Sequence, residues 1–210
     1  MKIESVSAIK NKPGKYVVRF DNESEIKVGA AQIADFGIFS GREYTDEAYV
    51  ELFESLAINS AKARALKILG SRSLSAHEME RRLTSKGESV EISNKTVEWL
   101  VEIGAINDME YACSIAKHYY TKGYGIARIR EELYKRGISR EFWDEAMEKL
   151  DKAGDSAYDF IKRKLKGSDD KEELRRVSKV LCARGFTYEE ACAAIRKYVE
   201  NIEEIRYSEQ

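Results

Sequence analysis

The residues in this chain best able to do chemistry are cations and tyrosines, and they gather in one stretch. From Lys122 to Gly137 the sequence reads Lys-Gly-Tyr-Gly-Ile-Ala-Arg-Ile-Arg-Glu-Glu-Leu-Tyr-Lys-Arg-Gly, a short basic helix between glycines, with Lys117 and Tyr120 just ahead of it. Guanidinium and ammonium groups hold anions through charge-assisted hydrogen bonds, and tyrosine rings beside them offer faces for stacking. The plainer alternative is a helix that starts and stops tidily. Groups suited to catalysis are sparse by comparison. His77 and His118 have no acidic or cysteine neighbours at metal-ligand spacing, and Cys113, Cys182 and Cys192 form no Cys-x-x-Cys pair. The cysteines therefore read as small apolar residues on helices, not as a disulfide framework or zinc knuckle. Neither a nucleophile elbow, a phosphate loop nor a His-Glu-x-x-His helix is present. We expect a binding protein, not an enzyme, with no metal and no cofactor.

The elements that must position these cations follow from composition and repetition. The chain has 210 residues, of which 43% are hydrophobic and 35% charged, enough for a thin core under much solvated surface. Its single proline, Pro13, leaves the rest free of proline helix breakers. Three segments end alike, at Leu83-Thr-Ser-Lys-Gly87, Leu133-Tyr-Lys-Arg-Gly137 and Leu181-Cys-Ala-Arg-Gly185, with glycines 50 and 48 residues apart. The pairs Met79 and Leu83, Ile129 and Leu133, and Val177 and Leu181 each lie four apart on one helical face. Each unit continues into a third amphipathic stretch, at Val97–Leu100, Phe142–Met147 and Tyr188–Val199.

This periodicity predicts a mainly α protein of tandem three-helix repeats stacked into an elongated, curved array. In the middle repeat the helices are expected at Asp108–Lys122, Ile126–Arg136 and Arg140–Leu150. The N-terminus differs. Tyr16, Val18 and Phe20 alternate with Val17 and Arg19 between turn-rich segments, which predicts two or three short antiparallel strands. The stretch from Gly29 to Gly41 is ambiguous, and Thr45 before Asp46 and Glu47 starts a helix with Tyr49, Leu52, Phe53 and Leu56 inward. The expected organisation is a β-rich extension over 1–45, a linker helix and first repeat over 46–106, a second repeat over 107–152, and a third repeat with a tail over 153–210. No apolar run reaches the ~18 residues of a membrane span and no signal peptide is evident, so a soluble, cytoplasmic monomer is expected.

Net charge is only −1, but it is arranged. Residues 62–86, 117–140 and 160–184 each carry a net +5, whereas 87–106 and 141–151 carry −3 and −4. Repeats stacked in register would present a basic ridge from first and second helices beside an acidic one from third helices. Such a surface suits a partner that displays both protein and phosphate. The alternative is a set of solvated faces with intrahelical pairs.

Several of these motifs carry a family resemblance. The Gly104-Ala-Ile-Asn-Asp108 junction, Tyr111-Ala112, Gly123-Tyr-Gly125, the Leu133-x-x-Arg-Gly-Ile138 close, and upstream Ala65-Leu-Lys-x-Leu69 with Arg72-Ser-x-Ser75-x-x-Glu78 resemble the RecX family of bacterial regulatory proteins. The likeness runs over about residues 58–200 and is strongest over 61–150. It implies tandem three-helix repeats that bind the groove of the RecA filament on single-stranded DNA and restrain its growth, ATPase and strand exchange. Contact with single- or double-stranded DNA is a further implication. The third repeat departs most, with Ser168-Asp-Asp-Lys where the middle repeat has glycines.

Comparing repeats separates scaffold from site. Lys86-Gly87, Arg136-Gly137 and Arg184-Gly185 recur, so they read as left-handed helix stops with a cation in the last turn. Asn107 or Asp108 with Glu110 reads as a helix cap. Arg128 falls opposite Glu78, the acidic member of the Ser75-x-x-Glu78 capping box, at a helix start that has only Gly125 as cap. Free N–H groups after Gly123 and Gly125, with the Arg128 guanidinium, would suit a phosphate or a carboxylate; alternatively Arg128 pairs with Glu131 or Glu132. Arg130 sits at the edge of the apolar face and is placed either to snorkel over the next helix or to pair with an acidic third helix. Tyr111 and Tyr119 share a core-facing side, whereas Tyr120 and Tyr124, beside Lys117 and Lys122, are placed to stack on a base or to lie on protein. The partner- or DNA-binding candidates are therefore Arg128, Arg130, Lys135, Lys122, Lys117, Tyr120 and Tyr124, with Arg72 and Arg176 at related places in the outer repeats.

Overall fold

The structure, a computed structural model, describes residues 1–150 and 155–208. Ten helices and three strands lie among the described residues, in two compact units: one holds 1–71 and 82–100, the other 72–81 and 101–208.

In the first unit β1 (Ile3–Ala8), β2 (Lys15–Phe20) and β3 (Glu25–Gly29) form an antiparallel sheet in that order. Register pairs Val6 with Val18 and Tyr16 with Val28, and a bulge falls between Ile3 and Ser5. The alternation read from the sequence puts Val18 and Phe20 inward, where they bury completely with Ile3. The stretch from Gly29 to Gly41, ambiguous in sequence, forms the short helix α1 (Ala30–Asp35). Helix α2 (Asp46–Leu69) starts where expected, with the Thr45 hydroxyl accepting the Ala48 N–H. Leu52 and Leu56 face the sheet-side core, joined by Tyr49 and Phe53 at its edge. Linker helix and first repeat helix prove to be one continuous helix of 24 residues, because no proline or glycine interrupts it. Helices α3 (Ala76–Thr84) and α4 (Val90–Glu102) follow in the first repeat, residues 76–81 of α3 belonging to the second unit. Within the first unit Lys62 lies 4.5 Å from the Trp99 ring centroid, and Lys95 pairs with Glu54.

The second unit holds the next two repeats. Helices α5 (Asp108–Thr121), α6 (Ile126–Lys135) and α7 (Glu141–Glu148) match the expected middle repeat to within two residues at each end. Their core joins Ala112, Ile115 and Ala116 of α5 to Ile129 and Leu133 of α6 and to Ala146 and Met147 of α7. Helices α8 (Ser156–Leu165), α9 (Lys171–Ala183) and α10 (Tyr188–Ser208) enclose a second core around Ile161, Val177, Leu181, Ala191 and Tyr198. All six apolar residues at the repeated four-residue spacing are buried. The residues 151–154 that join the two repeats lie outside the described residues, as do 209 and 210 of the expected tail.

Candidate partner-binding surface

The start of α6, where the sequence leaves backbone N–H groups for an anion, is already occupied. Gly125 caps the helix without a side chain, and its N–H donates to the carbonyl of Arg184 at 3.0 Å. The Ala127 N–H donates to the carbonyl of Gly185 at 3.3 Å. The Arg-Gly stop of the third repeat thus lies on the N-terminus of the second repeat's middle helix, its carbonyl dipoles supplying the negative charge that the helix end favours. Contact is close enough that a Cβ on Gly125 would meet the Gly185 oxygen at 2.2 Å. Of the two alternatives read at that point, this closes the one of a free site for a phosphate or a carboxylate.

The same joint recurs one repeat earlier. At the start of α3 the Ser75 hydroxyl accepts the Glu78 N–H and donates to the carbonyl of Arg136, while Gly137 packs against the ring of His77. Asp108 reaches across to accept the Ala76 N–H at 2.9 Å. Burial, opposed by that hydrogen bond, pushes the Asp108 carboxyl above its ordinary range. The third repeat closes itself: Asp170 accepts the N–H groups of Glu172 and Glu173 at the start of α9. The recurring Arg-Gly pairs are therefore joints between repeats as well as helix stops.

The cations of α6 are spent inside the repeat. Arg128 pairs with Glu131 at 2.8 Å and with Glu132 at 2.9 Å, the arrangement weighed above against an anion site. Lys135 pairs with Glu131 at 2.7 Å and with Glu132 at 3.4 Å, and Arg136 with Glu132 at 2.8 Å. Glu132 is only 7% exposed and also accepts the Tyr119 hydroxyl at 2.9 Å. Burial works to raise its carboxyl, but the bonds from Arg136, Tyr119 and Lys135 outweigh that and hold it down at about 2. Arg130 reaches Asp144 of α7 at 3.0 Å, the second of its two alternatives, a pairing with an acidic third helix. Tyr124 is engaged as well, because Arg184 lies 4.6 Å from its ring centroid. The Arg184 guanidinium also lies 4.2 Å from the Phe160 centroid and donates to the carbonyls of Lys122 and Gly123.

The cations left over lie elsewhere. The side chains of Lys117, Lys122, Arg72 and Arg176 are exposed and make no hydrogen bond or ion pair among the described residues. Lys117 and half-buried Tyr120 are brought together on the wall of a cleft of about 850 Å³ between α5, α7 and α8. Lys149 from α7's end and Lys162 and Arg163 from α8 face the same space. Sequence reasoning counted these three in regional charge without singling them out. The run Lys162-Arg163-Lys164 was their signal, whereas Lys149 was hidden in a stretch that is acidic overall. Arg72 and Arg176, ahead of α3 and on α9, do not line this cleft.

Among the described residues no cluster of histidine, cysteine and carboxylate side chains could hold a metal ion, and no helix is long and apolar enough to cross a membrane. All three cysteines lie on helices, Cys182 exposed on α9 and Cys113 and Cys192 half-buried on α5 and α10.

Comparison with known proteins adds to this geometry. Residues 61–100 match the family described as RecX, first three-helix domain, and residues 107–147 match RecX, second three-helix domain. A protein of Caldanaerobacter subterraneus named regulatory protein RecX is 26% identical over 86% of this chain and 91% of its own length. A regulatory protein RecX of Pseudomonas putida is 31% identical over 58% of this chain and 80% of its own. Two solved structures share the fold. A regulatory protein RecX superposes with a TM-score of 0.67 at 18% identity, covering 93% of this chain and 98% of that one. RecX from Lactobacillus salivarius gives 0.60 at 20% identity, over 68% and 96%.

Proposed function

From the premise that this chain belongs to the RecX family of regulatory proteins, we propose that it binds the RecA filament on single-stranded DNA and restrains its assembly, ATPase and strand exchange without catalysing a reaction itself. The observation that carries this reading is the pair of RecX three-helix domains, over 61–100 and 107–147. The unpaired cations beside apolar surface on the second unit are compatible with a partner that is part protein and part nucleic acid. Acting on such a filament, the protein works in the cytoplasm, as a monomer.

The test is the ATPase of a RecA filament on single-stranded DNA titrated with this protein. Inhibition at stoichiometric or lower ratios is expected, and its absence overturns the reading. A second reading, a stand-alone nucleic-acid binder, is favoured by the unpaired Lys117, Lys122, Arg72 and Arg176 alone. It predicts tight binding to bare single-stranded DNA, with log affinity falling by about 0.7 for each phosphate contact per tenfold rise in salt.

A further inference from the structure

We propose that the cleft between α5, α7 and α8 is a docking site for an acidic peptide segment of a protein partner, carrying one apolar side chain as its anchor. The inference rests on the regulatory reading above and assigns that activity a specific contact. Its floor is apolar, made by Cys113, Tyr120, Ala146 and Leu150, and its rim is cationic, with Lys117 and Lys162 on opposite helices. A volume of about 850 Å³ takes a leucine- or phenylalanine-sized group with backbone to spare. An apolar centre inside a charged rim is the layout of a protein contact, in which a buried anchor supplies affinity and the rim supplies steering.

Nucleic acid fits the cleft less well. Phosphates are held best by backbone N–H groups at helix starts and by arginine forks. Here the start of α8 is closed by Asp155, whose side chain accepts the Tyr158 N–H at 3.0 Å, and the start of α6 by the carbonyls of Arg184 and Gly185. Arg163 uses its Nε on the Asp159 carbonyl. What remains among the described residues is ammonium groups on flexible stems and the two outer nitrogens of Arg163, with the Asp159 carboxylate among them and Lys149 tied to Glu145 at 2.6 Å. Such a rim matches a few separated carboxylates and offers no continuous path to a phosphodiester chain. Among the described lining residues Tyr120 is the one aromatic ring, a single base's worth of stacking.

The experiment uses the full chain and a fluorescein-labelled twelve-residue probe of alternating glutamate and alanine with one central leucine, read by anisotropy. The expected result is saturable binding that weakens at least tenfold in the double variant Lys117→Glu/Lys162→Glu. Both residues are exposed, so circular dichroism and the melting midpoint are expected to match the parent. A probe with the leucine replaced by serine is expected to bind at least fivefold more weakly. No binding of the leucine probe, equal binding by the double variant, or displacement of the probe by oligo-thymidine at equal concentration each overturns the proposal, the last in favour of nucleic acid. RecA-filament ATPase is measured on the same samples. A parent that inhibits the filament but binds no probe removes the cleft inference and leaves the regulatory function standing. A parent that binds the probe but does not inhibit removes the regulatory function instead. A double variant that inhibits as strongly as the parent overturns the cleft's assignment to that partner.

Discussion

Gly125 and Arg184, 59 positions apart in sequence, are joined by a 3.0 Å hydrogen bond from the N–H of the residue that caps the start of α6 to the carbonyl of the residue that caps the end of α9. The bond makes the end of one repeat's middle helix the cap for its predecessor's. Ser75 and Arg136 repeat the relationship with a hydroxyl in place of the N–H. Gly125 has φ of −79°, so any residue could adopt its backbone, and its smallness serves the close approach alone.

Adding one methyl at that joint should therefore be costly. In Gly125→Ala the Cβ would meet backbone atoms of Gly185 and Phe186 at 2.2–2.4 Å, and backbone cannot swing aside as a side-chain tip can. Overpacking of this kind costs about 3 kcal/mol. Gly87→Ala is the comparison: no atom lies within 4 Å, so its cost is the left-handed backbone at φ +94°, about 1–2 kcal/mol. Urea denaturation of both variants checks the order, and equal losses would mean that the joint is loose.

Acid should dismantle the middle repeat through Glu132. Its carboxyl is held at about 2 in the fold against an ordinary 4.5, so protons bind the unfolded chain first as pH falls. The stabilisation is complete above about pH 4.5 and disappears as pH drops toward 2. Glu132→Gln is expected to cost about 2–3 kcal/mol at neutral pH, because Arg128, Lys135 and Arg136 lose their shared counter-charge. The gap between variant and parent should then close between pH 4.5 and 2. Urea midpoints across that range measure it, and a constant gap would exclude the linkage.

The first repeat's joint depends on one hydroxyl. Ser75 is fully buried, and its Oγ both accepts from Glu78 and donates to Arg136. Ser75→Ala removes a helix cap and strands a partly buried carbonyl, together worth about 2 kcal/mol. Ser75→Thr keeps both bonds and should recover about half. A Ser75→Ala protein as stable as its parent would show that water replaces the hydroxyl.

How much of this was legible in the sequence depends on whether the deciding contact is local. The helices of the middle repeat were placed to within two residues because Asn107 and the glycine stops act on their own turns. The pairing of Arg128 was legible as an alternative, since Glu131 and Glu132 lie at i+3 and i+4. The closure of α6 was not, because its partners, Arg184 and Gly185, are remote in sequence. A glycine cap seen alone reads as free N–H groups, and only the third repeat's position shows what fills them. The cleft was hidden for the same reason. Its rim draws four cations from three helices, and the ridge drawn along the repeats placed the weight on α6, whose charges are neutralised.

Arg184 tests whether the joint is held by side chain as well as backbone. Its guanidinium lies over Tyr124 and Phe160 at 4.6 and 4.2 Å and donates to the carbonyls of Lys122 and Gly123, so it ties the turn before α6 to the stop of α9. A lysine would keep the charge but lose the planar fork that stacks and bonds at once. Arg184→Lys is therefore expected to destabilise by about 1–2 kcal/mol. The sharper readout is local: the amides of Gly125 and Ala127, covered by the carbonyls of Arg184 and Gly185, should exchange with solvent at least tenfold faster, while those of Ile161 and Val177 in the adjoining core change only with global stability. Hydrogen exchange followed by NMR separates the two. Unchanged protection at Gly125 and Ala127 would show that the backbone joint stands without the arginine.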